Sequence, residues 1–250
     1  MKNHAENYPK AFAKGMMKTA NTMGITTIEL APITQSFVQF SKRCKKPVLD
    51  LGCGYGVSAL AALKTGAKVI AFDLAHEHLD VLEKNTPKAL QPHLTTMVGR
   101  VPEGLRLENN SLSAVHSALM FHFLNGEEIT AGLKVLYQYI EPGGQLFLGN
   151  MSIYVGIVEE REKLLQNYNM KVAQHDPWPG YIHLTPYVKP EWKDQIPPFG
   201  YFFKVDTAVE MVTRAGFEVE EAYYYTMDSF DDAYKTNGKE HVGIRAVKLP

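Results

Sequence analysis

Residues 48–56 read Val48-Leu49-Asp50-Leu51-Gly52-Cys53-Gly54-Tyr55-Gly56, an apolar β-rich run that ends in three glycines and opens onto a helical pattern at 57–65. A buried strand that passes into a helix through glycines brings its backbone close to whatever binds there. The helix that follows offers free N–H groups and the positive end of its dipole, which favour an anionic group such as a carboxylate or phosphate. Nineteen residues beyond Gly54, Asp73 closes a second apolar run, Val69-Ile70-Ala71-Phe72. A carboxylate at that place accepts the hydroxyl hydrogens of a ribose. Loop and acid together imply a nucleoside ligand.

Outward from this stretch the chain keeps one rhythm: short apolar runs alternate with helical patterns, separated by glycine or proline. Strands are expected at 47–51, 68–73, 94–98, 112–118 and 144–149, then at 217–224 and 241–248. Helices are expected at 57–65, 76–90 and 126–140, the last opened by Asn125 and stopped by Glu141-Pro142-Gly143-Gly144. A further helix at 207–215 begins as a capping box, Thr207 with Glu210, and closes at Gly216. This alternation is the signature of an α/β fold, a Rossmann-like, mostly parallel sheet with helices on both faces.

The whole chain reads as one domain. Residues 1–46 form a helical appendage with interruptions at Gly15, Gly24 and Pro32; 47–150 are the ligand-binding half; 151–205 are an excursion; 206–250 complete the sheet. The excursion carries an expected helix at 153–168, then six of the fourteen prolines within 177–198. Prolines at that density point to an ordered cap or lid.

Composition narrows the function classes. At 250 residues and 45% hydrophobic, the chain can bury a sizeable core, and 26 basic against 27 acidic side chains give no basic excess for tracking phosphates. Residues 1–46 carry eight basic and two acidic groups, a net +6, against −7 for the remainder. Nucleic acid is therefore not an expected partner. Two cysteines, Cys44 and Cys53, form no disulfide framework, no run is long enough for a membrane span, and the opening residues lack a secretory core. A soluble, cytoplasmic protein is expected.

Dinucleotide enzymes share the strand–glycine–helix geometry but space it Gly-x-Gly-x-x-Gly. Here the third glycine follows two residues after the second, and Asp50 stands just ahead of the loop. A carboxylate there repels a pyrophosphate and suits an ammonium or sulfonium charge. That selects S-adenosylmethionine over a nicotinamide cofactor.

The strings VLDLGCGYG, AKVIAFD and IEPGGQLFLGN resemble the class I S-adenosylmethionine-dependent methyltransferases, well over 47–150 and in outline over 206–249. The resemblance implies a seven-stranded sheet whose last strand is antiparallel. It implies that Asp50, Gly52 and Gly54 line the methionine end, with Cys53 contributing backbone, that Asp73 holds the ribose hydroxyls and that Leu74 lies against adenine. Arg100 and Val101 fall where the family often has an acidic residue; Arg100 cannot accept the adenine amino hydrogens, so that contact comes from backbone or elsewhere. Ala118 and Leu119 form the backbone floor, and Ser113 stands where aspartate is common. The N-terminal segment and the excursion would together roof the site, with Tyr8 or a neighbour touching the cofactor carboxylate.

The implied activity is methyl transfer to a small organic acceptor by in-line displacement, with S-adenosylhomocysteine as product. His122, after the fourth strand, is the leading candidate for a general base; its alternative is a packed or helix-capping histidine. His175 and His183 in the excursion are further candidates, with surface histidines as the alternative. His76 and His78 are two apart on a helix and make a poor metal pair, and no catalytic metal is expected. Cys53 reads as backbone filler rather than nucleophile. Lys42-Arg43-Cys44-Lys45-Lys46 reads as a solvated helix end, with an anion-binding surface as the minority alternative. The aromatic residues Trp178 to Phe203 divide between core packing and an apolar wall for substrate. Protein methylation, a non-catalytic S-adenosylmethionine-binding subunit and a nicotinamide-dependent dehydrogenase are the rival readings.

Overall fold

In the computed structural model, residues 7–11, 16–193, 196–230 and 232–250 are described. A seven-stranded sheet is built from β3 (Val48–Leu51), β4 (Val69–Asp73), β5 (Leu94–Val98), β6 (Leu112–Ala118), β7 (Ile140–Met151), β10 (Glu218–Tyr225) and β11 (His241–Val247). Their order is β10-β11-β7-β6-β3-β4-β5, and β11, inserted antiparallel between β7 and β10, is the strand that runs against the rest. The expected mostly parallel sheet with a reversed last strand is what forms. All four residues of β3 are buried, as a central parallel strand with both faces covered demands.

On one face lie α4 (Gly126–Tyr139) and α6 (Val205–Arg214), with Leu133, Leu136 and Val212 packed on Leu49 and Leu146. On the other lie α1 (Pro32–Ser41), α2 (Val57–Leu63) and α3 (His76–Asn85), with Phe37, Leu60 and Leu82 packed on Val48 and Ala71. Each such fully buried side chain contributes about 1.5–3 kcal/mol. Asn125 caps α4 in a reciprocal box with Glu128, both bonds at 2.9 Å.

Several boundaries differ from the sequence reading, each for a local reason. Helix α3 stops at Asn85 rather than 90, because Thr86 precedes Pro87 and is pushed to extended backbone (ψ 118°). Strand β7 begins at Ile140 because the Pro-Gly-Gly stretch is taken into it as an irregularity, the pairing stepping from Leu112↔Ile140 to Ala114↔Gln145. The expected capping box at Thr207 is displaced: α6 starts at Val205, the hydroxyl of Thr207 bonds Lys204 at 3.2 and 2.9 Å, and Glu210 pairs instead with Arg214.

The N-terminal segment departs furthest. Where helix was expected, β1 (Met16–Lys18) and β2 (Ile25–Thr27) form a hairpin, and Pro32 opens α1 rather than interrupting a helix. The reading of residues 1–6 and 12–15, Gly15 included, lies outside the described residues. In the excursion the helix is α5 (Arg161–Ala173), not 153–168, followed by the two-stranded β8 (Tyr181–His183) and β9 (Phe199–Tyr201). Residues Ile153, Val155 and Val158 instead bury themselves with Leu164, Ile182 and Trp192 in a core that belongs to the excursion.

Candidate functional site

The parallel strands end in a cavity of about 1320 Å³ counting its open mouth, at the point where the chain turns from β3 toward β4 on one side and β6 on the other. Crevices form at this switch in strand order because neighbouring connections leave in opposite directions. The floor is Asp50, Gly52, Cys53 and Gly54 with Ala118 and Leu119; the far wall is Asp73, Leu74, Arg100 and Val101; the roof is the β1–β2 hairpin, from Thr19 to Thr27. Of the twelve residues predicted for the site, ten line this one cavity, and His122 and Tyr8 do not.

Asp50 is 2% exposed and its two oxygens have different fates. Oδ1 accepts from His116 Nδ1 at 2.7 Å, while Oδ2 has no partner. Since a carboxylate only accepts, Nδ1 carries a proton, and Nε2 is hydrogen-bonded to the Thr34 hydroxyl of α1 at 2.9 Å. His116 stacks on Phe37, centroids 4.8 Å apart. A buried carboxylate oxygen without a partner is costly unless a donor arrives. That orphan fits the positive amino-acid end of a ligand.

Asp73 is arranged differently. Its Oδ2 accepts from Gly54 N at 2.8 Å, and its Oδ1 accepts from Ala75 N and His78 Nδ1, both at 2.9 Å. Lone-pair capacity remains on Oδ2 for one hydroxyl, so the carboxylate grips the glycine loop and still faces the cavity. His78 Nε2 accepts the backbone N–H of Ala20, in the hairpin turn, at 3.0 Å. Leu74, 47% exposed, offers an apolar surface on the cavity wall, and Arg100 is held by Glu128 at 2.6 Å. Its cation is therefore already paired.

The loop backbone is shaped for close approach. Gly54 sits at φ +51° with nothing nearer to an added Cβ than Thr26 Oγ1 at 3.6 Å, and Leu119, not a glycine, holds φ +55° with its N–H on Gly149 O at 2.7 Å. A left-handed leucine is strained by ~1–2 kcal/mol, a cost that clusters at ligand sites. Burial, then the carboxylates of Asp50 and Asp73, push the Cys53 thiol well above its ordinary value. It is a thiol, not a nucleophilic thiolate.

Other candidates lie elsewhere. His122 is buried beside Phe123, outside the cavity lining; burial, then neighbouring His241, pushes its pKa down to about 3, and its Nδ1 has no partner. Tyr8 is also off the lining, its neighbour Asn7 being bonded to Asn85 at the far end of α3 at 2.6 Å. His175, His183 and the other described residues of the excursion do not line the cavity, whereas the hairpin does. Of the excursion's aromatic residues, Trp192 and Phe202 pack in its own core and Tyr201 and Phe203 against the sheet, while Phe199 is exposed. His76 and His78 do face apart, the first exposed and paired with Glu77.

Sequence reading missed His116, Thr34, His78, Glu29 and Tyr225, which line the same cavity. A histidine inside the apolar run of β6 was the available signal for His116, which pairs in register with Asp50. Glu29 accepts from Asp228 N at 3.0 Å and Ser229 N at 2.5 Å. Burial raises its pKa, and the bonds from Ser229 and Asp228 outweigh that to leave it lowered. The hydroxyl of Tyr225 is without a partner. Among the described residues no group of three or more His, Cys, Asp and Glu is placed to hold a metal, and no helix is long and apolar enough to cross a membrane.

Comparison with known proteins places this architecture. A family model described as "Methyltransferase domain" matches residues 48–144. The cypemycin N-terminal methyltransferase of a Streptomyces species is 33% identical over 103 residues, 41% of this chain and 41% of that one. The chain thus spans less than half the length of that curated relative. Among solved structures, an S-adenosylmethionine-dependent methyltransferase of Methanosarcina mazei superposes with a TM-score of 0.64 at 18% identity, over 88% of this chain and 99% of the other. The 1,6-didemethyltoxoflavin-N1-methyltransferase of Burkholderia thailandensis, solved with bound 1,6-didemethyltoxoflavin and S-adenosylhomocysteine, superposes with a TM-score of 0.60 at 14% identity, over 88% of this chain and 78% of the other.

Proposed function

We propose, from the premise that this chain belongs to the class I S-adenosylmethionine-dependent methyltransferases, that its cavity holds S-adenosylmethionine and that it methylates a small organic amine. The observation that carries the reading is Asp50 Oδ2, a buried acceptor without a partner on the same cavity as Asp73 and the glycine loop. Asp50 would take the ammonium group and Asp73 a ribose hydroxyl. Leu74 and Val101 would flank adenine, with Ala118 and Leu119 as backbone floor.

S-adenosylmethionine supplies a methyl group already activated by its sulfonium charge. What the chain then contributes is alignment and exclusion of water, worth ~7–11 kcal/mol in favourable cases. The hairpin roof performs the exclusion. A neutral amine attacks without a base and sheds its proton from the product ammonium to water, so His122, buried and outside the lining, has no step to perform.

The acceptor class rests on charge. Glu29, Asp50 and Asp73 face the cavity, and the cation among the described lining residues, Arg100, is taken by Glu128. An anionic acceptor would meet carboxylates with no free cation, whereas an amine suits them. The relatives named for N-terminal and N1 methylation agree with nitrogen. The two cysteines are free, in keeping with a reducing cytoplasm.

Calorimetry with S-adenosylhomocysteine and with NAD, followed by labelled methyl transfer to panels of amines, carboxylic acids, phenols and peptides, tests this. Binding of the former and transfer to small amines is expected. Preference for NAD would overturn the family chemistry; binding without turnover would indicate a non-catalytic subunit, and transfer to peptides alone a protein methyltransferase.

A further inference from the structure

The two cavity carboxylates share an arrangement that the proposed chemistry does not itself require. Each accepts at Oδ1 from the Nδ1–H of a histidine, and each histidine turns its Nε2 to a polar group in the N-terminal segment: His116 to the Thr34 hydroxyl of α1, His78 to the Ala20 amide in the hairpin turn. The second relay bears directly on the roof. His78 is 2% exposed in the first turn of α3, with Tyr55 edge-on to its ring at 4.8 Å. Tyr55, between Gly54 and Gly56, donates its hydroxyl to Lys18 O at 2.9 Å. The hairpin is thus fastened at Lys18 and Ala20, by two side chains rooted in the glycine loop and beside Asp73.

We propose that His78 is a positioning residue that latches the N-terminal hairpin over the cavity through Asp73, and that the latch holds only while the imidazole is neutral. The bonding fixes the tautomer. Asp73 Oδ1 needs a hydrogen on Nδ1, and the Ala20 amide needs a bare Nε2. A second proton on Nε2 would set donor against donor and release the turn. The groups around the ring are Asp73 from β4, Tyr55 from the glycine loop, the Ala20 amide from the hairpin, and Glu77 beside it on α3, whose charge reaches the Tyr55 hydroxyl. Occupancy of Asp73 by a ribose and closure of the roof would be coupled through one side chain. This coupling to cofactor rests on the function proposed above, but the latch itself does not.

Hydrogen exchange read by mass spectrometry tests the latch on the full chain without any ligand. In His78→Phe, exchange of peptides spanning 16–27 should rise roughly tenfold or more, the loss of one buried hydrogen bond from a charged network, while β3 and β6 stay protected. His78→Gln, which can supply one of the two bonds, should fall between. In the wild type, exchange of 16–27 corrected for intrinsic rate should rise on passing from about pH 8 to about pH 5, across the range in which imidazoles charge. Unchanged exchange of 16–27 in folded His78→Phe overturns the latch; should that variant fail to fold, a flat pH response in the wild type overturns it. With S-adenosylhomocysteine, the Kd of His78→Phe should weaken about tenfold. No binding by the wild type would sink the cofactor reading while leaving the exchange result to stand on its own.

Discussion

Replacing Asp50 by asparagine isolates the orphaned oxygen. In the free protein the amide can place its Oδ1 where the carboxylate accepts from His116 at 2.7 Å, and its NH₂ where Oδ2 has no partner. One charge-assisted bond weakens, but a buried charge disappears, so folding stability should stay within about 1 kcal/mol of wild type. Binding is another matter. Two unit charges 4 Å apart attract by about 4 kcal/mol at an effective dielectric of 20, and a hydrogen bond to a charged group nets about 1.5–3 kcal/mol after desolvation. S-adenosylhomocysteine, which keeps the ammonium group, should therefore bind Asp50→Asn roughly 10- to 150-fold more weakly. Methylthioadenosine, which lacks the amino-acid end, should bind both proteins alike. Calorimetry with the two ligands, beside urea unfolding, separates these outcomes. Affinity for S-adenosylhomocysteine within about twofold of wild type, or an equal loss for methylthioadenosine, would show that Asp50 does not read the ammonium group.

Acid stability offers a second check. Burial pushes His122 down to about 3 and His241 to about 4, from an ordinary 6.5. Both fold neutral while the unfolded chain takes up their protons, so stability is complete above about pH 6.5 and falls as pH drops, by ~2 kcal/mol per histidine at about pH 5. In His122→Phe the difference between urea midpoints at pH 7.5 and 5 should shrink by about half, and methyl transfer should stay within a few-fold of wild type. The glycine loop supplies a graded test. An alanine Cβ at Gly56, φ +76°, would lie 2.4 Å from Leu82 Cδ1 and 2.8 Å from its Cβ, whereas at Gly54, φ +51°, it meets only Thr26 Oγ1 at 3.6 Å. Gly56→Ala should lose several kcal/mol in thermal unfolding, combining backbone strain with overpacking, and Gly54→Ala only ~1 kcal/mol.

The sheet was legible because its parallel strands are buried on both faces and read as unbroken apolar runs between helices. The glycine loop, Asp50 and Asp73 were legible because their spacing is local to one strand–turn–helix unit and the next strand. The β1–β2 hairpin was not: its strands are three residues each, too short for a period of two to declare itself against helix-forming neighbours. The excursion misled in another way. Ile153, Val155 and Ile157 alternate as in an extended chain, but the charged stretch that follows them has helical composition, which draws the expected helix forward to 153. His116 and His78 act through partners 66 and 82 residues away on one side and 5 and 58 on the other. Apart from the bond of His78 to Asp73, these are separations that tertiary packing alone brings together, and the sequence by itself suggests for His78 only the question of a metal pair with His76.

The pairing of two relays makes a claim about motion that single substitutions do not reach. If hairpin and α1 close as one body, cutting either relay frees the segment, and cutting the second then costs little more. If they move separately, the losses add. Thr34→Val removes the hydroxyl that meets His116 Nε2 at 2.9 Å and keeps the shape of the side chain; His78→Phe removes the bond to Ala20 at 3.0 Å. The altered atoms belong to different strands' acids, so no shared contact should couple them directly. One rigid N-terminal segment should make the double variant's loss of S-adenosylhomocysteine affinity smaller than the sum of the single losses, with a coupling of about 0.5–3 kcal/mol. Additivity within about 0.5 kcal/mol would mean that the roof over the ribose and the helix behind Asp50 answer to separate events.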